Sequence, residues 1–244
     1  MSEKRDGSVR RAQSTVVGVA LLLGVTMLSL GVLTASIGTV VQSNAAAADA
    51  GRVATDFDAA LDPVSATGPG RGHVSFTDGT LRRVDRTVRL VNDSGVVASE
   101  SVGGLIYTND RHRVAFVSGG VVRDTGENAR FVTDPPIATS ENVLLVGVAR
   151  LNASGADAVG GAERRVSLRT NVTHRRRALG NDSYRVAVET ETPVAWERYA
   201  ARYDATTTRR DFDGDGVPSV VVDYPGNRTT YLVVHDMRLV VSHG

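Results

Sequence analysis

The sequence predicts an α+β protein: a long N-terminal transmembrane and stalk helix, then a mainly antiparallel, β-sandwich-like head with one short late helix. Three observations lead there. No charged residue occurs from Gln13 to Ala48. From Gly72 onward, short runs rich in Val, Leu, Thr and Tyr alternate with turn pairs such as Asp78-Gly79. Within that region one stretch, Pro193 to Tyr203, spaces its apolar residues as a helix does. On this reading residues 1–12 are a basic cytoplasmic leader, 13–62 the transmembrane and stalk helix, and 72–244 an extracytoplasmic head.

The first element is a membrane span. Its core, Val16 to Val41, reaches about 39 Å as a helix, enough to cross a hydrocarbon layer of about 30 Å with some tilt. A cleaved secretory signal has a much shorter apolar core. Lys4, Arg5, Arg10 and Arg11 precede the span against Glu3 and Asp6, and the next basic residue is Arg52. Positive charge stays on the cytoplasmic side, so the N-terminus is expected inside and the head outside. Gly24, Gly31 and Gly38 recur every seven residues, and Gly31 with Ala35 makes a small-xxx-small pair. Small residues let helices approach closely in lipid, so this face is expected to pack against other helices. Thr26, Ser29, Thr34, Ser36 and Thr39 add hydroxyls that can bond within the helix or across to a neighbour.

The junction Arg10-Arg11-Ala12-Gln13-Ser14-Thr15-Val16-Val17-Gly18-Val19 resembles the class III signal of archaeal type IV pilins and archaellins. That resemblance implies cleavage by a membrane prepilin peptidase between Ala12 and Gln13, with Arg10 and Arg11 recognised. It also implies that the helix stays on the mature protein and packs with other pilin-like subunits. Val17 stands where bacterial type IV pilins carry Glu, so the archaeal branch matches better.

The helix is expected to continue through the alanine-rich stretch to Leu61. Val53, Phe57 and Leu61 share a face, Arg52 and Asp56 suit an i,i+4 ion pair, and Asp62-Pro63 ends the element. A helix from Thr15 to Leu61 would be about 70 Å long; the alternative is a break at Ser43-Asn44. About a dozen strands follow, from His73–Thr77 to Thr230–Val241, with Leu81–Val91 read as one strand and Val143–Leu151 as the most buried. Strands without alternating helices favour a sandwich or rolled meander over a parallel sheet. In the late helix, Thr192 serves as N-cap and Pro193 as N1. Trp196, Tyr199, Ala200 and Tyr203 share its inner face. The W-x-R-Y pattern at Trp196 to Tyr199 resembles uncharacterised archaeal pilin-like proteins.

Candidate chemistry in the head is sparse. Asn92, Asn152, Asn171, Asn181 and Asn227 each begin an Asn-x-Ser/Thr triplet, the acceptor pattern for glycosylation of exported proteins. Asp211-Phe212-Asp213-Gly214-Asp215-Gly216 places three carboxylates as a Ca²⁺ loop does. The bidentate Glu of an EF-hand is missing at Val222, so the motif reads either as a looser calcium turn on Asp211, Asp213 and Asp215 or as an acidic loop. His174-Arg175-Arg176-Arg177 reads as a solvated basic loop, with contact to anionic lipid, glycan or an acidic neighbour as the alternative.

The charge budget settles what remains. The protein has 244 residues, with 28 basic and 27 acidic side chains and a formal net charge of +1. That balance excludes the basic footprint of a nucleic-acid binder. The absence of cysteine excludes disulfides and thiolate chemistry. No hydrolase, P-loop or dinucleotide motif occurs and the five histidines lack ligand spacing, so an enzyme is not expected. The expected function is a minor type IV pilin-like subunit of a surface filament or its assembly. The alternative is a single-pass anchored β-domain that binds a glycan, ion or envelope partner without polymerising.

Overall fold

The computed structural model describes residues 7–65, 67–126 and 128–243, with side chains from Val17 onward. Helix α1 runs Gly7–Ala60 without a break at Ser43-Asn44. It is followed by β1 (Gly68–Phe76), β2 (Thr80–Val84), β3 (Thr87–Asn92), β4 (Gly95–Ser101), β5 (Gly104–Asn109) and β6 (His112–Val117). Next come β7 (Gly120–Asp124), β8 (Arg130–Thr133), β9 (Ile137–Thr139), β10 (Val143–Arg150), β11 (Ser154–Gly155) and β12 (Ala158–Gly160). The chain closes with β13 (Arg164–Asp182), β14 (Arg185–Glu189), α2 (Pro193–Ala201), β15 (Thr206–Arg210), β16 (Ser219–Asp223), β17 (Arg228–Asp236) and β18 (Val240–His243).

Two compact units divide the chain between Ala45 and Ala46, inside α1. The first is the apolar part of the helix. The second contains the last turns of α1 and every strand, so the stalk's end is part of the head's own fold. It is there because the sequence gives those turns an apolar stripe. Ala46, Ala50, Val53, Ala54, Phe57 and Leu61 are all at most 2% exposed. The predicted Val53/Phe57/Leu61 face is this stripe, widened by alanines that let β-strands pass close.

The head is mostly antiparallel, as expected, but it is built from three sheets. One has the order β11-β18-β13-β17-β10-β9, with β1 added to β13. The second is β12-β2-β5-β6-β7-β8 and the third β15-β16-β14-β3-β4. Two pairs, β10 with β17 and β11 with β18, are parallel. The sheets enclose two cores. One joins Val53 and Phe57 of α1, and Leu61 just after it, to Phe76, Tyr107, Phe116, Leu168 and Val241. The other sets Trp196 and Tyr199 of α2 against Val88, Leu90, Val146, Val220 and Leu232.

Several boundaries differ from expectation. Leu81–Val91 is two strands in different sheets, parted at Asp85-Arg86. Arg86 is buried there, its guanidinium set against Glu189 and Glu191 and its carbonyl accepting from the N–H groups of Val102 and Gly103. A charge with such partners cannot continue an apolar ladder. Thr230–Val241 is likewise split into β17 and β18. β10 is not buried throughout, since Val143 and Leu145 are 39% and 37% exposed.

Candidate functional site

The longest apolar surface is the side of α1 itself. Among the described residues α1 is the one helix long and apolar enough to cross a membrane. Its leucines, valines and methionine face outward; Met27 and Leu28 are each 72% exposed. Four hydroxyls of the apolar span bond back to the helix's own backbone. Thr26 donates to the carbonyls of Leu22 and Leu23, Thr34 to Leu30, Ser36 to Val32 and Thr39 to Ser36, all at 2.8–2.9 Å. These bonds satisfy hydroxyls that would otherwise be costly in hydrocarbon. Nothing lies within 4 Å of where a Cβ would sit on Gly24, Gly31 or Gly38. That leaves a shallow flank for the close approach of another helix, with Ala35 on the same segment. The side chains of Arg10, Arg11, Ala12 and Gln13 lie outside the described residues; their backbone belongs to α1.

Where α1 enters the head, polar contacts lock it. Asp49 is 2% exposed and accepts from the backbone N–H groups of Thr77 at 3.0 Å and Asp78 at 3.2 Å, and from the Thr77 hydroxyl. Arg52 pairs with Asp49 at 3.1 Å, three residues back. The expected Arg52–Asp56 pair does not form, because Asp56 accepts instead from the backbone N–H of Ser75. Two residues on, Thr133 donates to Asp58 at 2.6 Å.

The Asp211–Gly216 loop has other partners for its carboxylates. Asp211 accepts from the backbone N–H groups of Asp213, Gly214 and Gly216. The bond from Gly214, then that from Gly216, holds the Asp211 carboxyl below its ordinary range. Asp213 receives Arg89 at 2.6 Å and Asp215 accepts from the Val217 N–H. Among the described residues no group of three or more His, Asp or Glu side chains is gathered to hold a metal ion.

Four of the five sequon asparagines, Asn152, Asn171, Asn181 and Asn227, are exposed. Asn92 is half-buried and donates to Asp182 at 2.9 Å. Asn152 lines a cleft of about 540 Å³ with Arg83, Arg150 and Asp157. There Arg83 pairs with Asp157, and Arg150 with Asp236 and Glu100, so its charges are balanced internally.

His174-Arg175-Arg176-Arg177 is not a loop. It lies on the long strand β13, paired residue for residue with β17. Sequence reading missed this because four consecutive polar residues carry no period-2 pattern. The strand is held by its partner instead. His174 stands opposite His235, with their Nδ1 atoms 2.8 Å apart. Burial, then the His174 ring, lowers the His235 pKa.

The family profile of DUF7289, a family of unknown function, matches residues 11–240 of the chain. No curated protein and no solved structure matches it. The chain therefore belongs to DUF7289.

Proposed function

We propose that this DUF7289 member is a minor type IV pilin-like subunit, processed by a prepilin peptidase and contributing to a surface filament or its assembly. The observation that carries the reading is α1. One uninterrupted helix supplies both the apolar span and, through Val53, Phe57 and Leu61, a wall of the head's core. An anchor joined by a loose linker would keep the two roles apart. Here the element that would pack in a filament is also the element on which the head is built.

In this role the basic leader stays cytoplasmic and the head is exported. Arg10 and Arg11 are recognised, and the chain is cut between Ala12 and Gln13. Neighbouring subunits pack against the Gly24/Gly31/Gly38 flank. Glycans on Asn152, Asn171, Asn181 and Asn227 would cover the exposed head.

The test is the N-terminus of the protein recovered from membranes. Mass spectrometry is expected to give Gln13 as the first residue, and Arg11→Ala combined with Ala12→Leu to leave the leader in place. A wild-type chain that starts at Met1 or Ser2 would overturn the proposal and favour a non-polymerising anchored β-domain.

A further inference from the structure

The three sheets of the head meet at the cleft of about 540 Å³. Arg83 of β2, Ser101 of β4 and Arg150 of β10 reach it from the second, third and first sheets respectively. That volume lies within the range of about 300–1,000 Å³ usual for small-molecule sites. Backbone bonds between elements fix its walls. Leu151 donates to the Val102 carbonyl, Val102 to that of Arg86, and Arg83 to that of Asp157, each at 2.8 Å. The two guanidinium groups are pinned as well, Arg83 by the Ala153 carbonyl at 2.6 Å and by Asp157, and Arg150 by Asp236 at 3.0 Å. A site held in shape beforehand spends little ordering entropy when a ligand enters.

The lining selects the chemistry of the ligand. Arg83 and Arg150 are matched in number by Asp85 and Asp157, so the cleft offers no excess charge to an ion. It offers directional polar groups instead. Asp85 and Ser101 are exposed, and among the described residues their side chains make no hydrogen bond. Asp157 gives Arg83 one oxygen and keeps the other. Carboxylates present paired acceptors in one plane, which suits neighbouring hydroxyls, and a serine hydroxyl both donates and accepts. The half-buried Val84 and Ala153 add apolar surface for the C–H face of a sugar ring.

One more residue of the wall bears on where such a sugar comes from. Asn152, at φ +42°, is exposed and begins the triplet Asn152-Ala153-Ser154. A sugar linked to its amide would start at the cleft.

We propose that this cleft binds a neutral saccharide, with Asp85, Asp157 and Ser101 bonding its hydroxyls and the sugar either free or linked to Asn152. The site requires neither cleavage nor polymerisation, so it stands or falls independently of the pilin-like reading.

The test uses the full chain recovered from its own membranes, in the sugar-free detergent lauryldimethylamine oxide. Methyl glycosides of glucose, galactose, mannose and N-acetylglucosamine are titrated, with binding read by calorimetry and saturation-transfer NMR. Ser154→Ala removes the glycosylation triplet and spares the lining, since Ser154 is exposed on β11 and outside the cleft. Equal binding of a glycoside to wild type and Ser154→Ala assigns a free sugar. Binding to Ser154→Ala alone assigns the sugar carried by Asn152.

In whichever protein binds, Asp85→Ala is expected to weaken affinity about tenfold, the effect of losing one charge-assisted hydrogen bond. Ser101→Phe, which adds a ring at an exposed position of the lining, is expected to abolish binding. Glu141→Ala, exposed and outside the lining, is expected to bind as its parent does. Melting followed by Trp196 fluorescence checks that each variant is folded. No glycoside bound by either protein, or an affinity that neither Asp85→Ala nor Ser101→Phe changes, overturns the site.

Discussion

Asp49 shows how much one side chain can carry. Its carboxylate is the common acceptor for Thr77, Asp78 and Arg52 where α1 meets the end of β1. Asp49→Ala would leave those donors unpaired in a buried site, and we expect a loss of about 2 kcal/mol, read as a lower melting temperature by Trp196 fluorescence. Gly72 marks a steric limit nearby. A Cβ there would sit 2.3 Å from the Cβ of Ala60, so Gly72→Ala should destabilise the head, and adding Ala60→Gly should restore part of the loss. The His235 ring gives a pH dependence. Its folded pKa lies below the ordinary 6.5, through burial first and the His174 ring second. A base with a depressed folded pKa contributes stability above its unfolded pKa and loses it as pH falls through the folded one. The melting temperature should therefore fall as the pH drops below about 6.5, and a pH series with His235→Gln should show a shallower decline. None of these three details was legible in the sequence. Each is a meeting of residues far apart in the chain, and nothing in the spacing of Asp49, Gly72 or His235 signals its partner.

At the scale of elements, legibility followed local periodicity. The α1 stripe of Val53, Phe57 and Leu61 and the α2 face of Trp196 and Tyr199 repeat at helical spacing, and both were readable in advance. The tight hairpin at Ser118-Gly119-Gly120, between β6 and β7, was readable from its turn residues, whereas Asp78-Gly79 makes a turn that joins β1 and β2 in different sheets rather than a hairpin. The division of Leu81–Val91 was not, because the residues that stop β2 are answered by Glu189 and Glu191 about a hundred positions later. Nor was the length of β13, whose second half pairs with β17 alone and is exposed along Thr173–Ala178. There Arg175, Arg176 and Arg177 have a plain physical role: charge along an open strand edge deters another strand from adding to it. Replacing Arg175 and Arg177 with Val should leave the fold in place and promote self-association, visible as a shift to larger species in size-exclusion chromatography. Phe57→Ala tests the stripe on α1. It removes a ring that is 0% exposed in the first core, for an expected loss of about 3–5 kcal/mol.

For the whole molecule, the decisive feature is that the boundary between membrane and head falls inside a helix. A fragment beginning at Ser43 retains the whole apolar stripe and should be soluble and folded, with Trp196 shielded from quencher. A fragment beginning at Val64 lacks Phe57 and Leu61 and should expose Trp196. The division drawn from sequence, helix to 62 and head from 72, could not foresee this, because burial of the stripe depends on strands as late as β18. That last dependence has a consequence for biogenesis. Phe57, which leaves the ribosome early, shares a core with Val241, three residues from the C-terminus. On the proposed topology, the head could not close until β18 had crossed the bilayer, and export would deliver it unfolded, tethered by α1. A chain truncated before β18 would then remain an open, protease-sensitive form, which limited proteolysis would show.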